Sequence, residues 1–431
     1  MTEREAIQYI ESTARFGAKL SLEKMQRLCA LLGNPQDNPH VVHVAGTNGK
    51  GSTTAMIAEV LQAAGYKAGR YTSPYIEDVR DGMRINSVPI SGAALADTTA
   101  QVREKALEMD QDGNHPTQFE IETAIAFLWF AQSGCDFVVL ETGLGGRLDA
   151  TNVVRQPLVT VITSISMDHM AYLGNTLERI AAEKCGILKP NGVTVSYPLQ
   201  QEPVLQVIRQ FAAAQNNRLR LPDLTALQEQ QLSLDGNRIT YRGLDVMIPL
   251  PGRHQVYNAI TALEAVAALR EHYGFQISDQ AIREGIQRTT MPLRQEILCR
   301  QPLILVDGAH NRDGAQTLAD SIRRNLSGRR IITVMGMLAD KEYKPSIGMI
   351  ASLSQHFIAV EPQSPRALPA ADAAAVAAQH CSWVVTAADY PAALRQALAL
   401  AGEDGVIILC GSLYLAEPMR RIVLQYFPSD R

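Results

Sequence analysis

The chain has 431 residues, which is more than one typical domain holds, so we expect two or three domains. Hydrophobic residues make up 46% of the chain and charged residues 19%, a composition typical of globular proteins with a substantial core. The net charge of −4 argues against a protein that coats nucleic acid or binds a membrane surface.

The cysteines and the N-terminal segment indicate the cellular compartment. The six cysteines are scattered and form no C-x-x-C pair, which favours free thiols in a reducing compartment over a disulfide framework or a zinc site. The segment "MTEREAIQYIE" is charged and amphipathic and lacks the apolar stretch of a signal peptide. The longest apolar stretch, "AIAFLWFA", is too short to cross a membrane. We therefore predict a cytoplasmic protein.

Strand-like apolar runs alternate with helical stretches along the first part of the chain. "HVVHVAG" predicts a strand, and the following "STTAMIAEVLQAAGY" has the spacing of a helix. "CDFVVLETG" and "PLVTVITSI" are typical of short buried strands, and "TLERIAAEKCGIL" again predicts a helix. This alternation indicates an α/β fold with a mainly parallel sheet.

The later part of the chain predicts a small antiparallel sheet and then a second α/β unit. "QQLSLDGNRITYRGLDVMIPLPG" contains short alternating runs joined by Asp235-Gly236, which is a hairpin signal, and the helix "QVYNAITALEAVAALREHYG" follows. From about Met291-Pro292 the chain begins again with four predicted strands and two helices: "LILVDGAH", "GAQTLADSIRRNL", "RIITVMGM", "HFIAVEP", "ALPAADAAAVAAQH" and "GVIILCGS". We predict an N-terminal domain of residues 1–292 and a smaller, Rossmann-like α/β domain of residues 293–431.

"HVAGTNGKGSTT", residues 43–54, lies between the first predicted strand and the following helix. Two glycines around a lysine, followed by hydroxyl residues, suit a phosphate-binding loop, because backbone N–H groups and the helix N-terminus face an anion there. We expect Lys50 to reach the β- and γ-phosphates and Ser52 to bind Mg²⁺. The match to G-x-x-x-x-G-K-[ST] is imperfect, since Val44 occupies the first glycine position and Gly51 separates the lysine from the serine. The alternative is an ordinary glycine turn before a helix.

Two later strands end in side chains that suit a magnesium site. In "CDFVVLE" four apolar residues precede Glu141, which would sit beside the phosphate loop if the two strands are neighbours in a parallel sheet. In "VTVITSISMDHMAYLG" the strand is expected to end near Ile165, and Asp168 and His169 fall in the following loop. A hydroxyl, a glutamate and a histidine from several strand ends would build a magnesium site with oxygen and nitrogen ligands. The alternatives are a solvated strand-end glutamate and a loop histidine or helix cap.

Several segments occur in an order that indicates a family: "HVAGTNGKGS", "YTSPY", "LETGLGGRLDATN", "SMDHMAYLG", "AAEKCGILKP", "PGRHQVYNA" and "DGAHNRDG". In these segments the chain resembles the folylpolyglutamate synthases of the Mur ligase superfamily, which include bifunctional dihydrofolate synthases. The resemblance runs from about residue 15 to the C-terminus. It implies the fold predicted above, with a central ATP-binding domain and a C-terminal glutamate-ligase domain.

The resemblance implies a ligase reaction. The family joins the γ-carboxyl of a folate, or the carboxyl of dihydropteroate, to the amino group of L-glutamate while ATP is cleaved to ADP and phosphate. A carboxylate is a poor electrophile, and its phosphorylation gives an acyl phosphate that the amine attacks. The implied cofactors are two Mg²⁺ ions, with a monovalent cation as a further candidate. The implied partners are ATP, L-glutamate and a folate or dihydropteroate, with no nucleic acid or membrane, and the implied oligomeric state is a monomer.

The resemblance also assigns roles to residues of this chain. It implies ATP contacts for Gly49, Lys50, Gly51, Ser52, Asn258, Arg294, Asp307 and His310. It implies metal ligation by Ser52, Ser73, Glu141, His169 and Lys184, and catalytic roles for Lys50, His169 and Lys184. It implies folate or pteroate contacts for Lys19, Leu20, Ser21, Leu22, Thr117, Gln118, Phe119, Glu120, Arg147, Leu148, Asp149 and Ala150.

Four of these implied roles are specific. Lys184 matches a lysine that is carbamylated by CO₂ in this superfamily. Phe119 is expected to stack on the pteridine, and Arg147 to pair with a substrate carboxylate. Because Arg294 follows the predicted domain junction, the resemblance predicts domains that close over ATP.

Three functions stay open on the sequence. The first is a ligase that adds glutamate to folates, with or without the dihydropteroate reaction, and the second is another Mur-type ligase with a non-folate acceptor. The third is a small-molecule kinase or a phosphate-binding regulatory module. The second α/β domain argues against the third, because a kinase does not need to recruit an amine.

Overall fold

The structure is a computed structural model, and it describes residues 1–16, 21–75, 77–110 and 114–428. By its internal contacts the chain divides into two compact units. Unit 1 comprises Met1–Gln228, Thr240–Met247 and Tyr257–Thr289, and unit 2 comprises Glu229–Ile239, Ile248–Val256 and Thr290–Arg431. The division of function at residue 292 stays a prediction.

The core of unit 1 is one large twisted sheet. Its strands are β1 (His40–Ala45), β2 (Ala68–Tyr71), β3 (Met83–Ile85), β4 (Val88–Pro89), β5 (Phe137–Glu141), β6 (Val159–Ile162), β7 (Val193–Ser196) and β8 (Arg218–Arg220). Their order is β4-β3-β2-β5-β1-β6-β7-β8, and β3 and β4 are the antiparallel strands at one edge. The central strands are valine- and isoleucine-rich and buried on both faces, as parallel strands covered by helices are. The predicted mainly parallel sheet is confirmed.

One strand of this sheet is shorter than the sequence suggests. The strand β6 ends at Ile162, three residues before the expected end at Ile165. The chain after it turns toward the loop that follows β1, where the Ser164 carbonyl accepts a hydrogen bond from the Thr47 amide at 2.8 Å. The apolar run therefore predicted too long a strand, because the residues at the end of the run pair with the loop after β1 and not with a strand.

Helices cover both faces of the sheet. The helices of this part of the chain are α1 (Glu3–Ser12), α2 (Glu23–Leu31), α3 (Lys50–Ala63), α4 (Gly92–Asp110), α5 (Gln118–Gln132), α6 (Met170–Leu173), α7 (Leu177–Cys185), α8 (Glu202–Ala214), α9 (Arg253–Tyr273) and α10 (Asp279–Arg288). The helices α1, α2, α4 and α5 share a core with Tyr71, Val138 and Leu140, whereas α3 packs against β5 and α10. Side chains alternate along a strand, so Glu141 and Leu140 point to opposite faces of the sheet. Leu140 points to the face that α5 covers, and Glu141 points to the face that α3 covers.

A small sheet lies in the middle of the chain. Its strands β9 (Leu227–Ser233), β10 (Gly236–Tyr241) and β11 (Leu244–Ile248) are arranged in the order β11-β10-β9. Two residues connect each pair, and the connection Arg242-Gly243 has φ angles of +49° and +78°, the positive values of a tight hairpin turn. The predicted small antiparallel sheet is confirmed, although the first turn is Leu234-Asp235 and Gly236 already begins β10.

The larger sheet of unit 2 is also parallel, apart from one edge strand. Its strands are β12 (Glu296–Arg300), β13 (Leu303–Val306), β14 (Ile331–Met335), β15 (His356–Ala359), β16 (Val384–Thr386) and β17 (Val406–Cys410), in the order β12-β13-β17-β14-β15-β16. Only β12, in this described sheet, pairs antiparallel with its neighbour. The helices are α11 (Arg312–Asn325), α12 (Tyr343–Ala351), α13 (Ala370–Ala377), α14 (Tyr390–Ala401) and α15 (Leu413–Tyr426).

No helix within the described ranges is both long and apolar enough to cross a bilayer. All six cysteines are free and buried. The cytoplasmic location stays a prediction.

Candidate functional site

Two glycines shape the loop between β1 and α3. Gly49 precedes α3 with a φ of +86°, and a Cβ atom there would lie 2.4 Å from Asn258 Oδ1. A Cβ atom on Gly46 would lie 1.8 Å from Thr163 Oγ1. Among the described residues no side chain caps the start of α3, so its first N–H groups and the positive end of its dipole are left for an anion.

Short polar residues hold this loop to the segment after β6. The Thr47 hydroxyl donates to the Ser166 carbonyl at 3.1 Å, and the Ser166 amide donates back to the Thr47 hydroxyl at 3.2 Å. Asn48 Nδ2 donates to Ser166 Oγ at 3.3 Å. Thr47 and Asn48 occupy positions at which the phosphate-loop motif allows any residue, and their hydrogen bonds hold the loop in its shape. The sequence analysis missed Thr47 and Asn48, and the signal available was the run of threonine, asparagine and serine on both segments.

Lys50 and Glu141 meet at the carboxyl edge of the sheet. The strands β1 and β5 run in parallel register with Val44 opposite Glu141, so the loop after β1 begins beside the end of β5. Lys50 Nζ lies 3.9 Å from Glu141 Oε1 and donates to the Thr47 carbonyl at 3.2 Å. The structure thus places a cation suited to phosphate oxygens next to a carboxylate suited to a metal.

Lys184 reaches the same loop from α7. Its side chain is buried, and Nζ donates to the Gly46 carbonyl at 2.6 Å. Burial lowers the pKa of Lys184 to about 7, and the positive charge of Lys50 adds to the shift. The lowered pKa favours the neutral amine, which is the form that reacts with CO₂. As an unmodified amine Lys184 is a donor to the loop, and its predicted role as a metal ligand requires the modification.

The glycine-rich segment after β5 packs against the end of α7. A Cβ atom on Gly146 would lie 2.7 Å from the Lys184 carbonyl, and one on Gly186 would lie 2.4 Å from Arg147 Cβ. The Arg147 amide donates to the Glu183 carbonyl at 2.7 Å. These glycines therefore let the loop touch the backbone that carries Lys184.

His169 immediately precedes the short helix α6, as its N-cap residue, and has a left-handed conformation. Its φ of +50° and ψ of +38° are uncommon for a residue with a side chain, although histidine adopts them more readily than most. The ring Nε2 lies 3.9 Å from Asp168 Oδ2, and the side chain is 42% exposed. The structure therefore presents an accessible imidazole beside a buried carboxylate.

The two candidate serine ligands are enclosed. Ser52 is buried in the first turn of α3, and Ser73 follows β2. Ser73 Oγ is buried and has no hydrogen-bond partner in the part of the chain that the structure describes. A buried hydroxyl without a hydrogen-bond partner destabilises the folded protein. Such a hydroxyl is expected where the partner is a bound ligand.

The predicted folate segment at the start of α5 forms a capping box. The Glu120 amide donates to Thr117 Oγ1 at 3.3 Å, and the Thr117 amide donates to Glu120 Oε2 at 2.7 Å. These side chains start the helix, a role that the T-x-x-E pattern signals and that the sequence analysis missed. Phe119 is partly buried, and a Cβ atom on Gly143 would lie 2.5 Å from its ring. The glycine therefore leaves room for the ring beside the loop after β5.

The other folate candidates make internal contacts. Asp149 is buried and accepts hydrogen bonds from the Leu144 amide at 2.7 Å and the Thr151 amide at 3.0 Å. Burial raises the pKa of Asp149, and these hydrogen bonds oppose the shift. The Arg147 guanidinium pairs with Glu183 at 3.0 Å, so a substrate carboxylate would compete with that glutamate.

The remaining candidates of this set are placed as follows. Ala150 belongs to the core that Leu22 packs against, and Leu148 is half-buried. Ser21 Oγ accepts a hydrogen bond from the Glu23 amide at 3.2 Å. Gln118 donates to Glu122 at 2.8 Å. Lys19 and Leu20 lie outside the described residues.

Unit 2 gathers its three nucleotide candidates around one buried carboxylate. Asp307 follows β13 and accepts hydrogen bonds from the Ala309 amide at 2.7 Å and the Gln295 amide at 3.0 Å. Burial raises the pKa of Asp307, while the charges of Arg294 and His310 oppose the shift. The residues on either side of Arg294, Leu293 and Gln295, have positive φ angles of +62° and +48°.

Comparison with known proteins identifies the family. The Mur ligase middle domain matches residues 44–266, and the Mur ligase glutamate ligase domain matches residues 293–413. The dihydrofolate synthase/folylpolyglutamate synthase of Bacillus subtilis (strain 168) is 36% identical over 429 residues, which cover 97% of this chain and 98% of that protein. The chain belongs to the folylpolyglutamate synthase family of Mur ligases. The resemblance found in the sequence motifs is confirmed.

Solved structures of Mur ligases extend this similarity to the fold. Mycobacterium tuberculosis folylpolyglutamate synthase complexed with ADP has a TM-score of 0.89 and 29% identity, covering 98% of this chain and 99% of that chain. E. coli FolC in complex with DHPP and ADP has a TM-score of 0.87 and 27% identity, covering 99% of this chain and 98% of that chain. The similarity spans the whole of this Mur ligase, and not one domain alone.

The donor set of this Mur ligase fits Mg²⁺. Ser73 Oγ and the Glu141 carboxylate are oxygen donors, and oxygen is the ligand that Mg²⁺ prefers. No group of three histidine, cysteine, aspartate or glutamate side chains within the described ranges is arranged to hold a metal. A magnesium ion would therefore need hydroxyl and phosphate oxygens in addition to the carboxylate, which is usual at nucleotide sites.

Proposed function

We propose that the protein is an ATP-dependent ligase that adds L-glutamate to the γ-carboxyl of folates and to the carboxyl of dihydropteroate. The observation that carries the proposal is the pairing of Lys50 and Glu141 at the carboxyl edge between β1 and β5. The similarity to folylpolyglutamate and dihydrofolate synthases over the whole chain supports the choice of acceptor.

The loop after β1 supports binding of the triphosphate. The N-terminus of α3 and the ammonium of Lys50 both favour negative charge at one place. Gly49 keeps the backbone clear of a side chain at that position, where a Cβ atom would meet Asn258. We assign the nucleotide phosphates to Gly49, Lys50, Gly51 and Ser52.

The metal ligands follow from the same arrangement. Ser52, Ser73, Glu141 and His169, with Lys184 as its carbamate, would hold two Mg²⁺ ions. Bound Mg²⁺ would neutralise phosphate charge and polarise the phosphoryl group. The protein contributes the hydroxyl of Ser73, which has no partner among the described residues, and the carboxylate at the end of β5.

The chemical problem is to bring two anions together. The acceptor carboxylate attacks the γ-phosphorus of ATP, ADP leaves, and the acyl phosphate forms. The amine of glutamate then attacks the acyl carbon, a proton is lost from nitrogen, and phosphate leaves. Lys50 and the start of α3 reduce the repulsion in the first step by binding the transferred charge.

We assign Arg294, Asp307 and His310 to the nucleotide as well, and residues 293–431 to the part that serves the incoming glutamate. Support comes from the match of residues 293–413 to the Mur ligase glutamate ligase domain. The buried carboxylate of Asp307 lies in the field of Arg294 and His310 in unit 2. We further propose that the protein acts as a monomer.

Phosphate release and product mass test this function. The purified protein is given Mg²⁺, ATP and L-glutamate with either dihydropteroate or a reduced folate. We expect phosphate release that requires both the pterin and glutamate, together with a product heavier by one glutamyl residue. A stable phosphorylated product would instead show a kinase. Release with a peptidoglycan precursor and none with either pterin would show a Mur ligase with another acceptor.

A further inference from the structure

A buried carboxylate beside the candidate folate segment has no cation paired with it among the described residues. Glu122 lies on α5 with 6% of its surface exposed, and its Oε1 accepts a hydrogen bond from Gln118 Nε2 at 2.8 Å. Burial raises the pKa of Glu122 to about 7, and no basic group of the described chain contributes to the shift. A carboxylate can accept about four hydrogen bonds, so contacts within the described part of the chain leave most of this capacity unused.

Glu122 shares a helix face with aromatic rings. Phe119 precedes it by three residues, which places both on one face of α5. The rings of Phe119 and Tyr71 have centroids 6.2 Å apart, and the Tyr71 hydroxyl lies 3.2 Å from Thr123 Oγ1. Burial and the charge of Glu122 raise the pKa of Tyr75 to about 12. The charge of Glu122 therefore acts on the hydroxyl groups of both tyrosines.

The exposure of these groups indicates a site that binds a flat molecule. Tyr75 and Phe119 are only partly buried where they pack against the core of unit 1. Gly143, in the loop after β5, lies against the ring of Phe119. A Cβ atom at position 143 would lie 2.5 Å from that ring. Aromatic surface with a carboxylate at its edge suits a planar heterocycle that has N–H donors on one side.

We propose that Glu122, held by Gln118, binds the donor edge of the pteridine ring, where the ring N3–H and the 2-amino group lie side by side. Two adjacent N–H donors match the two oxygens of one carboxylate. The proposal rests on the proposed function, since it concerns the folate acceptor of that reaction. Glu122 is thus a specificity residue for the pterin end of the substrate.

The charge of Glu122 also orients the substrate. A folate has a donor-rich pteridine at one end and the reacting carboxylate at the other. A buried carboxylate attracts the first end and repels the second. Glu122 therefore favours the orientation that leaves the reacting carboxylate free to approach the phosphate loop.

A comparison of two ligands with two variants tests this role. The ligands are pteroate and its analogue with a methyl group in place of the 2-amino group, and binding is measured by titration calorimetry without ATP. We expect the wild-type protein to prefer pteroate by about tenfold or more, because a hydrogen bond to a charged group is at stake. In Glu122→Gln and Glu122→Leu we expect that preference to fall to about twofold or less, with an unchanged KM for ATP.

Glu59→Gln is the matched control. Glu59 is also a buried glutamate, on α3, and its hydrogen-bond partner is Ser87. Since α3 covers the face of the sheet opposite α5, this variant is expected to keep the full preference for the 2-amino group. A general effect of losing a buried carboxylate would change both variants alike.

The possible outcomes separate the two proposals. Equal affinity of the wild-type protein for both ligands would overturn the role of Glu122, even if the variants fail to fold. A preference that survives in Glu122→Gln would overturn it as well. In either case amide formation with dihydropteroate would leave the proposed function standing, whereas its absence with every pterin acid would remove that function itself.

Discussion

Replacement of Glu122 by glutamine is expected to stabilise the ligand-free protein at neutral and alkaline pH. Burial raises the pKa of Glu122 from 4.5 to about 7. The pKa of Glu122 is higher in the folded than in the unfolded protein, so the protonated carboxyl favours the folded state. This contribution to the free energy of unfolding is fully present below pH 4.5 and is lost as the pH rises through about 7. Each pKa unit corresponds to about 1.4 kcal/mol, so ionisation costs the folded state about 3 kcal/mol.

A glutamine keeps the acceptor for Gln118 and has no charge to bury. Unit 1 contains roughly 270 residues, so 3 kcal/mol corresponds to a rise of about 5 °C in the midpoint of its unfolding transition. Differential scanning calorimetry of both proteins between pH 4.5 and 8 measures this rise. The difference should be small at the acid end and complete at about pH 8. Tyr71 and Tyr75, the titratable neighbours, have pKa values raised by burial beyond this range.

The control is an exposed glutamate. Glu202, at the start of α8, has a side chain that is 61% exposed, so Glu202→Gln should follow the wild-type curve at every pH. If the unfolding midpoints of wild type and Glu122→Gln change with pH in the same way, the reasoning is refuted. Ionisation of Glu122 would then cost the folded protein nothing, contrary to the raised pKa. A destabilised Glu122→Gln at pH 8 would refute it more directly.

The remaining predictions concern the phosphate loop and its neighbours. Lys50→Ala and His169→Ala should each abolish amide formation and leave the circular dichroism spectrum unchanged; wild-type turnover in either variant would contradict its assignment. Gly49→Ala should raise the KM for ATP about tenfold, because an alanine in the left-handed region costs about 1–2 kcal/mol and its methyl group would meet Asn258. Assays with varied pterin should show an unchanged KM for that substrate. Lys184→Ala should lose activity and regain part of it with short carboxylic acids, whereas full activity without them would exclude a carbamate.

The fold was largely predictable because its local patterns agree with its tertiary structure. An apolar run followed by Glu141, next to a strand that leads into a glycine–lysine loop, indicates two neighbouring parallel strands, and β1 and β5 are such strands. The failures lie where a short segment depends on distant partners. The strand β6 ends early because Ser164 bonds to the loop, and β12 and β16 are short or half-exposed segments without a clear pattern.

The contacts of the site were less predictable than its residue types. The lysine at position 184 donates to the carbonyl of Gly46, 138 residues away, and no spacing rule carries that information. Only the family resemblance singled out this lysine. The folate role that the resemblance gave to Thr117 and Glu120 stays a prediction, and the structure shows in addition that each side chain bonds to the other's backbone at the start of α5.

The hydrogen bond of Lys184 bears on its predicted modification. An ammonium group has three N–H donors, and a carbamate keeps one N–H on the same nitrogen. The hydrogen bond to the Gly46 carbonyl can therefore persist after CO₂ addition. Because the remaining N–H would point to that carbonyl, the two carbamate oxygens would point away from it. The amine must first be neutral, and burial together with the charge of Lys50 provides this by lowering its pKa to about 7. The loop after β1, to which we assign the nucleotide phosphates, thus orients Lys184 through the Gly46 carbonyl, and its Lys50 adds to the effect of burial on the pKa of Lys184.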